Sequence, residues 1–197
     1  MSGSGTTLQA LIDATTSPEY GARIVAVGAD RADIDGLARA ERAGIDTFVV
    51  RLGDHLDRDA WDRALAESVA EHDPDLVVLA GFMKLAGPAF LDRFGGRTVN
   101  SHPALSPAFP GTQAPRDALA YGVKITGATL FVVDAGIDTG PIVAQVAVPV
   151  LPDDDERTLH DRIKISEREM VVEWVGRLAR EPFTIVDRTI TFSGENV

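Results

Sequence analysis

The sequence predicts an α/β fold in which helices cover both faces of a mostly parallel sheet. Short β-branched runs alternate with stretches of helical periodicity through about residues 1–100, and this alternation is typical of strand–helix–strand units. The composition, 45% hydrophobic and 25% charged, is that of an ordinary globular protein. With 197 residues and neither a repeat nor a linker, the chain is predicted to form a single domain, 1–197.

The individual elements follow from local patterns. The first predicted helix places Leu8, Leu11 and Ile12 on one face. Asp73-Pro74 ends the third predicted helix. The predicted helices are 6–14, 33–42, 58–71, 88–93, 116–121 and 156–180. The predicted strands, which are short and rich in apolar or β-branched residues, are 22–28, 47–50, 76–80, 97–101, 125–133, 141–150 and 183–191.

Charge and residue usage exclude several classes of function. With 19 Lys and Arg against 30 Asp and Glu, the net charge of −11 argues against a nucleic-acid partner, because phosphates require a basic surface. The chain has no cysteine, which excludes disulfides, thiolate zinc sites and cysteine nucleophiles. Neither a membrane-length apolar run nor a signal-peptide pattern is present, so a cytoplasmic location is expected.

A glycine turn, residues 3–8 (Gly-Ser-Gly-Thr-Thr-Leu), directly precedes the first helix. Free backbone N–H groups at a helix N-terminus bind phosphate without a basic side chain, which suits an acidic protein. A disordered terminus explains the same residues about equally well, so this motif is weak by itself.

Asn100 and His102 end a predicted strand and project to the same side of it. Open α/β sheets bind ligands at the carboxyl ends of their strands. The alternative, which is the commoner one for an arbitrary Asn-x-His, is that both side chains satisfy backbone groups. Asp138, in the glycine-flanked loop 134–140, either caps its own turn or folds back onto His102 and holds the ring.

Glu167 falls on the apolar face of the last helix, between Ile163 and Met170. A buried carboxylate requires a partner, which could be a helix neighbour, Lys164 or the ammonium group of a ligand. The remaining histidines are predicted to be solvated and lack metal-ligand spacing, so no metal site is assigned to them: His55, His72 and His160.

Five stretches of this chain resemble the phosphoribosylglycinamide formyltransferase family, also called glycinamide ribonucleotide transformylases. They match in order and spacing over essentially the whole chain, at 2–12, 76–84, 100–105, 109–111 and 134–142. The resemblance implies a Rossmann-like formyltransferase fold. Its N-terminal, nucleotide-binding half would span about 1–100 and its folate-binding and catalytic half about 101–197.

The resemblance also implies the reaction and its residues. The formyl group of 10-formyltetrahydrofolate would pass to the amine of glycinamide ribonucleotide in purine (IMP) biosynthesis, without metal, nucleic acid or membrane; a homodimer is a possible assembly. The implied catalytic residues are Asn100, His102 and Asp138. The implied substrate-binding residues are Gly5, Thr6, Thr7, Pro103 and Glu167. The implied folate-binding residues are Phe82, Met83, Lys84, Leu85, Asn100, Asp134, Gly136 and Asp138.

By the same resemblance, the substrate amine attacks the formyl carbon directly. An imidazolium at His102 and the amide of Asn100 would stabilise the oxyanion that forms. Asp138 would keep His102 charged and orient a water that carries the amine proton to the folate nitrogen.

The sequence departs from the family at its start and near the site. The family begins with a buried strand before the glycine turn; here that first strand is missing, so we expect unpaired edges on its neighbours and a true start upstream. Gln113 and Phe131 stand where the family usually has histidines. Thr7 and Lys84 replace Asn and Arg, and Lys84 keeps the charge without the planar fork of arginine.

Other functions share the Asn-x-His and Asp core. A formyltetrahydrofolate deformylase is the first alternative, although that family carries a regulatory domain before the catalytic one. Methionyl-tRNA formyltransferases carry a further RNA-binding domain and a basic surface, which do not fit 197 residues at −11. An N-terminally truncated fold that binds nucleotide or folate without turnover is the non-enzymatic alternative.

Overall fold

The computed structural model describes residues 1–193, in which strands and helices alternate as the α/β prediction requires. The chain divides into two compact units, Met1–Thr98 and a second unit that begins at Val99. This division lies close to the one expected between the two halves. Within the described part of the chain, no helix is both long enough and apolar enough to span a membrane.

The first unit alternates strands and helices along its whole length. Its strands are β1 (Ala26–Ala29), β2 (Asp46–Val49) and β3 (Val77–Leu79), and its helices are α1 (Thr6–Ala14), α2 (Asp35–Arg42), α3 (Arg58–Ala70) and α4 (Pro88–Phe94). β1 and β2 pair in parallel, as predicted for this half. The strand predicted at 22–28 begins too early, because pairing starts only at Ala26, opposite Asp46.

Apolar helix faces build the core of this unit. The predicted face of α1 is buried at Leu8, Leu11 and Ile12. Leu8 and Ile12 form a cluster around β1 with Leu37 of α2. A further cluster gathers side chains from α3, α4 and the segment after β2: Val50, Trp61, Leu65, Ala66, Phe90 and Phe94.

In the described chain, α1 is not preceded by a strand, and the backbone of Met1 and Ser2 makes strand-like hydrogen bonds instead. The Met1 amino group donates to the Gly28 carbonyl at 2.9 Å, and the Asp30 N–H donates to the Met1 carbonyl at 3.2 Å. The Ser2 N–H donates to the Gly81 carbonyl, after β3, at 3.1 Å. At these positions the edges that we expected to be unpaired are hydrogen-bonded.

The second unit is built on an antiparallel sheet. Its elements are β4 (Thr98–His102), which starts at the boundary, α5 (Ala114–Tyr121), β5 (Ile125–Val132), β6 (Ile142–Pro149), α6 (Glu156–Arg180), β7 (Phe183–Val186) and β8 (Thr189–Phe192). β4 pairs with β5 and β5 pairs with β6, both antiparallel. The register sets Asn100 opposite Phe131 and His102 opposite Thr129.

The long helix α6 has the predicted bounds because its start is capped. Asp155 and Thr158 form a reciprocal capping box, with Thr158 N–H to Asp155 Oδ1 at 2.7 Å. The helix packs on β5 and β6 and buries Leu159 and Ile163. Trp174, which lies on the same predicted stripe, is only half-buried.

The single strand predicted at 183–191 is wrong. This segment is the hairpin β7–β8, in which Val186 pairs with Thr189. Asp187 adopts a left-handed backbone with φ of 55°, a conformation that reverses the chain and that Asp tolerates better than most residues.

Candidate active site

His102, the last residue of β4, is buried and is held at both ring nitrogens. Its Nδ1 lies 3.4 Å from Asp138 Oδ2, and its Nε2 lies 2.8 Å from the Phe109 carbonyl oxygen. Both neighbours are hydrogen-bond acceptors, so an imidazolium that donates from both nitrogens satisfies both contacts. The predicted contact between Asp138 and His102 is confirmed, and its catalytic role stays a prediction.

Asp138 is fixed by its backbone as well as by this contact. It has a left-handed φ of 55°, and its Oδ2 also accepts the Gly111 N–H at 2.8 Å. Its side chain is 13% exposed. A carboxylate with two donors and little solvent is well placed to hold the orientation of the His102 ring.

The loop that carries Asp138 closes on its own polar groups. Asp134 Oδ1 accepts the Gly136 N–H at 3.0 Å and the Thr139 hydroxyl at 2.6 Å. At the far end a Cβ on Gly140 would lie 1.7 Å from the Val132 carbonyl oxygen, so only glycine fits there. The predicted folate-binding residues Asp134 and Gly136 are thus part of an ordered turn.

Asn100 is half-buried and, two residues from His102 on one strand, projects to the same face. Phe131, which pairs with Asn100 on the neighbouring strand, is 3% exposed. Apolar packing therefore replaces one of the two histidines that the family usually has near the site. Gln113, at the other such position, accepts a hydrogen bond from Arg116 at 2.7 Å.

The loop after His102, which contains the half-buried Pro103, is held by a polar network from the neighbouring strands. The Thr129 hydroxyl donates to the Ala104 carbonyl at 2.7 Å and accepts the Ser106 N–H at 2.9 Å. Gln145 donates to the Ser106 carbonyl at 3.0 Å. This network fixes the exit of the chain from β4.

Glu167 on α6 is half-buried. Burial raises its pKa above the ordinary value of 4.5, and a hydrogen bond from Ser101 and the nearby His102 oppose that rise. Glu167 therefore belongs to the same cluster as His102, and as a carboxylate it would gain from a cationic ligand.

In the first unit, the glycine turn is compact and ordered. Gly5 has φ of 69°, and a Cβ there would lie 2.6 Å from Gly36 Cα, so the turn requires glycine. In the described chain, α1 carries no side-chain cap at its N-terminus, which leaves first-turn N–H groups near Thr6 and Thr7 for an anion. Arg39, which the sequence analysis did not single out, donates to the Ser4 carbonyl at 2.9 Å.

Segment 82–85 alternates between core and surface. The Phe82 ring stacks on Trp61 with centroids 6.2 Å apart, and Lys84 Nζ lies 2.8 Å from Asp30 Oδ2. Met83 and Leu85 point outward, 68% and 51% exposed. The segment therefore offers two apolar side chains and its backbone, while the charge of Lys84 is already paired.

Asp30 was missed by the sequence analysis, although its position directly after β1 is a usual one for functional side chains in α/β sheets. Its side chain is 1% exposed, with Lys84 at 2.8 Å and Arg31 at 3.2 Å. Burial alone would raise its pKa, but hydrogen bonds from Arg31, Lys84 and Ser2 lower the pKa to about 2. Asp30 thus connects Ser2, which directly precedes the glycine turn, to segment 82–85.

The other three histidines were predicted to be solvated, but each of them is half-buried. His72 stacks on Phe48 with ring centroids 5.4 Å apart, and burial lowers the pKa of His160. Among residues 1–193, no cluster of three or more His, Cys, Asp or Glu side chains could hold a metal ion.

The formyl transferase family model matches residues 1–175 of the chain. The chain belongs to the formyl transferase family. This formyltransferase is 57% identical over 190 residues to the phosphoribosylglycinamide formyltransferase of Mycobacterium tuberculosis, covering 96% of the present chain and 87% of the relative. It is 38% identical over 183 residues to the Escherichia coli protein of that name, covering 90% and 86% of the two chains.

A solved structure shows the same fold. The glycinamide ribonucleotide transformylase 1 of Symbiobacterium toebii superposes with a TM-score of 0.94 at 42% identity, over 98% of this formyltransferase and 91% of the other chain. The predicted α/β formyltransferase fold is therefore confirmed.

Proposed function

We propose that this formyltransferase is a phosphoribosylglycinamide formyltransferase, which transfers the formyl group of 10-formyltetrahydrofolate to the amine of glycinamide ribonucleotide. The products are formylglycinamide ribonucleotide and tetrahydrofolate, a step of purine biosynthesis. The observation that carries the proposal is the buried pair of His102 and Asp138, 3.4 Å apart, in a chain 57% identical to a relative of that name.

The residues are assigned to the two substrates according to their chemistry. Backbone N–H groups at Gly5, Thr6 and Thr7 would bind the phosphate of glycinamide ribonucleotide, because the N-terminus of α1 is uncapped. Glu167 would accept a hydrogen bond from the neutral amine, which keeps its lone pair for the attack on the formyl carbon. Pro103 would line the glycinamide site.

The folate substrate requires an apolar surface for its ring and polar groups for its edge. Met83 and Leu85 supply exposed apolar area, and Asp134, Gly136 and Asp138 lie on an ordered loop with backbone groups at its surface. Phe82 and Lys84 would act by holding that segment in place, since one stacks on Trp61 and the other pairs with Asp30.

His102 and Asn100 would stabilise the negative charge that develops on the formyl oxygen. Nε2 of His102 already donates to the Phe109 carbonyl, so the formyl oxygen would replace that carbonyl as acceptor. Asp138 would hold the ring as an imidazolium and orient the water that moves the amine proton. The chain needs no nucleophile of its own, because the substrate amine is the nucleophile.

The proposal is tested by assaying tetrahydrofolate release with both substrates and with 10-formyltetrahydrofolate alone. Release only when glycinamide ribonucleotide is present, with formation of the formylated product, is the expected result. Release without the amine substrate would identify a deformylase, and binding of both compounds without release would identify a non-catalytic binder. The cytoplasmic location and the homodimer stay predictions.

Replacing Glu167 by glutamine is expected to separate substrate binding from stability. Because the pKa of Glu167 is raised in the folded state, the free energy of unfolding falls as the pH rises through that pKa. The glutamine variant, which carries no charge, should therefore unfold at the same or a higher temperature at pH 7–8. The KM for glycinamide ribonucleotide should rise about tenfold or more, since a hydrogen bond to a charged group contributes about 1.5–3 kcal/mol. Glu173→Gln, exposed on the same helix, is the control, and an unchanged KM for Glu167→Gln would refute the assignment.

A further inference from the structure

The loop that carries Asp138, residues 134–140, meets the terminal hairpin β7–β8 within the second unit. This hairpin lies beyond the residues that match the formyl transferase family model, 1–175. Nothing in the reaction described above uses it. The hairpin nevertheless contacts the loop that carries Asp138.

Arg188, in the two-residue turn of the hairpin, makes the connection. Its Nη2 donates to the Thr139 carbonyl at 2.8 Å and to the Gly140 carbonyl at 3.1 Å. The left-handed φ of Asp187 turns the chain so that Arg188 lies at the hairpin tip. Both accepting carbonyls belong to the closing end of the loop, directly after Asp138.

The hairpin is itself held firmly against α6. Phe192 on β8 is 4% exposed, its ring centroid is 5.9 Å from that of Trp174, and the Arg177 guanidinium lies 3.8 Å from the Phe192 centroid. The same helix carries Glu167. These contacts anchor the base of the hairpin, where Phe192 pairs with Phe183, and the pairing of β7 with β8 connects that base to Arg188 at the tip.

We propose that Arg188 is a positioning residue, which holds the loop 134–140 so that the Asp138 carboxylate stays on His102 Nδ1. The proposal rests on the proposed function for its catalytic consequence. Nη2 of the guanidinium carries two N–H groups, which match the two successive carbonyls of Thr139 and Gly140, and the planar guanidinium holds both N–H groups in a fixed direction. The Asp134 carboxylate closes the opposite end of the loop, so Asp138 is held from both sides.

Replacing Arg188 by alanine is expected to lower kcat about tenfold, because a small displacement of a catalytic group reduces the rate strongly. The KM for glycinamide ribonucleotide should stay within about twofold of the wild type, because Asp138 is not placed on that substrate. Arg188→Lys, which keeps a cation and a donor, should recover part of the lost kcat. Arg157→Ala removes an arginine that is 76% exposed and 3.9 Å from Asp161, and it should behave as the wild type.

Amide hydrogen exchange tests the positioning independently of turnover. The Gly111 N–H donates to Asp138 Oδ2, and the Gly136 N–H donates to Asp134 Oδ1. In Arg188→Ala we expect faster exchange at Gly111, while Gly136 stays protected by its local bond and the melting temperature changes by less than about 3 °C. Unchanged exchange at Gly111 together with wild-type kcat would overturn the proposal. A wild-type chain without formyl transfer would refute the proposed function, and the exchange result would still decide whether Arg188 holds the loop.

Discussion

Replacing His102 by alanine is expected to lower kcat by about 10²–10³-fold, the usual effect of removing one group that stabilises an oxyanion. The ring is buried between the Asp138 carboxylate and the Phe109 carbonyl, so no solvent group takes its place. The KM for either substrate should change much less, because the charge that His102 stabilises develops only as the amine adds. Steady-state kinetics with both substrates varied measures the two effects separately.

A double-mutant cycle identifies how His102 and Asp138 cooperate. Asp138→Asn keeps the shape of the side chain and an acceptor for Gly111, but removes the negative charge. We expect it to lower kcat substantially, and the double variant His102→Ala/Asp138→Asn to lose little more than His102→Ala alone, because residues that act as a unit are not additive. His55→Ala is the matched control and should leave kcat unchanged. Wild-type kcat in Asp138→Asn would remove that carboxylate from the mechanism.

Replacing Asp30 by asparagine is expected to destabilise the protein by about 3 kcal/mol, which corresponds to a fall of about 6–12 °C in Tm for a chain of this size. The variant leaves Lys84 without its counterion 2.8 Å away. Ser2 and Lys84 both hydrogen-bond to Asp30, so the substitution removes a support shared by segment 82–85 and the residue that directly precedes the glycine turn. The KM values of both substrates should therefore rise.

The pH dependence of this effect has a definite sign. The pKa of Asp30 is lowered from 3.8 to about 2, so the ionised carboxylate contributes its full stabilisation above about pH 4 and loses it as the pH falls toward 2. The difference in Tm between the wild type and Asp30→Asn should be constant from pH 7 to about pH 4 and shrink below that. Asp75→Asn, exposed in the same unit, is the control. If the exposed variant and Asp30→Asn melt alike, the ion pair does not support the fold.

Much of the fold could be predicted from local pattern. The helix at 156–180 has the predicted bounds: its apolar stripe is long, and a capping box within four residues fixes its start. The prediction of a single strand at 183–191 was wrong because local pattern does not show where the chain turns. Its β-branched residues fit one long strand, and only the left-handed backbone at Asp187 divides it into β7 and β8.

Only part of the candidate site could be predicted from local pattern. Asn100 and His102 could be placed on one face of a strand from their spacing alone. Asp138 could be named as a candidate from its glycine-flanked loop, but only the family resemblance implied that it acts together with His102, because a turn aspartate can also cap its own backbone. Asp30, Arg39 and Arg188 were missed, since each acts on a segment far from it along the chain.

From its amino acids alone, this formyltransferase is recognisable as an acidic α/β protein with its family motifs in order, because periodicity and spacing are local properties of a chain. Tertiary structure decided which polar groups come into contact: Lys84 with Asp30, Asp138 with His102, and Arg188 with the carbonyls of Thr139 and Gly140. Those contacts depend on loop closure and on the direction of each side chain, which a linear pattern does not encode.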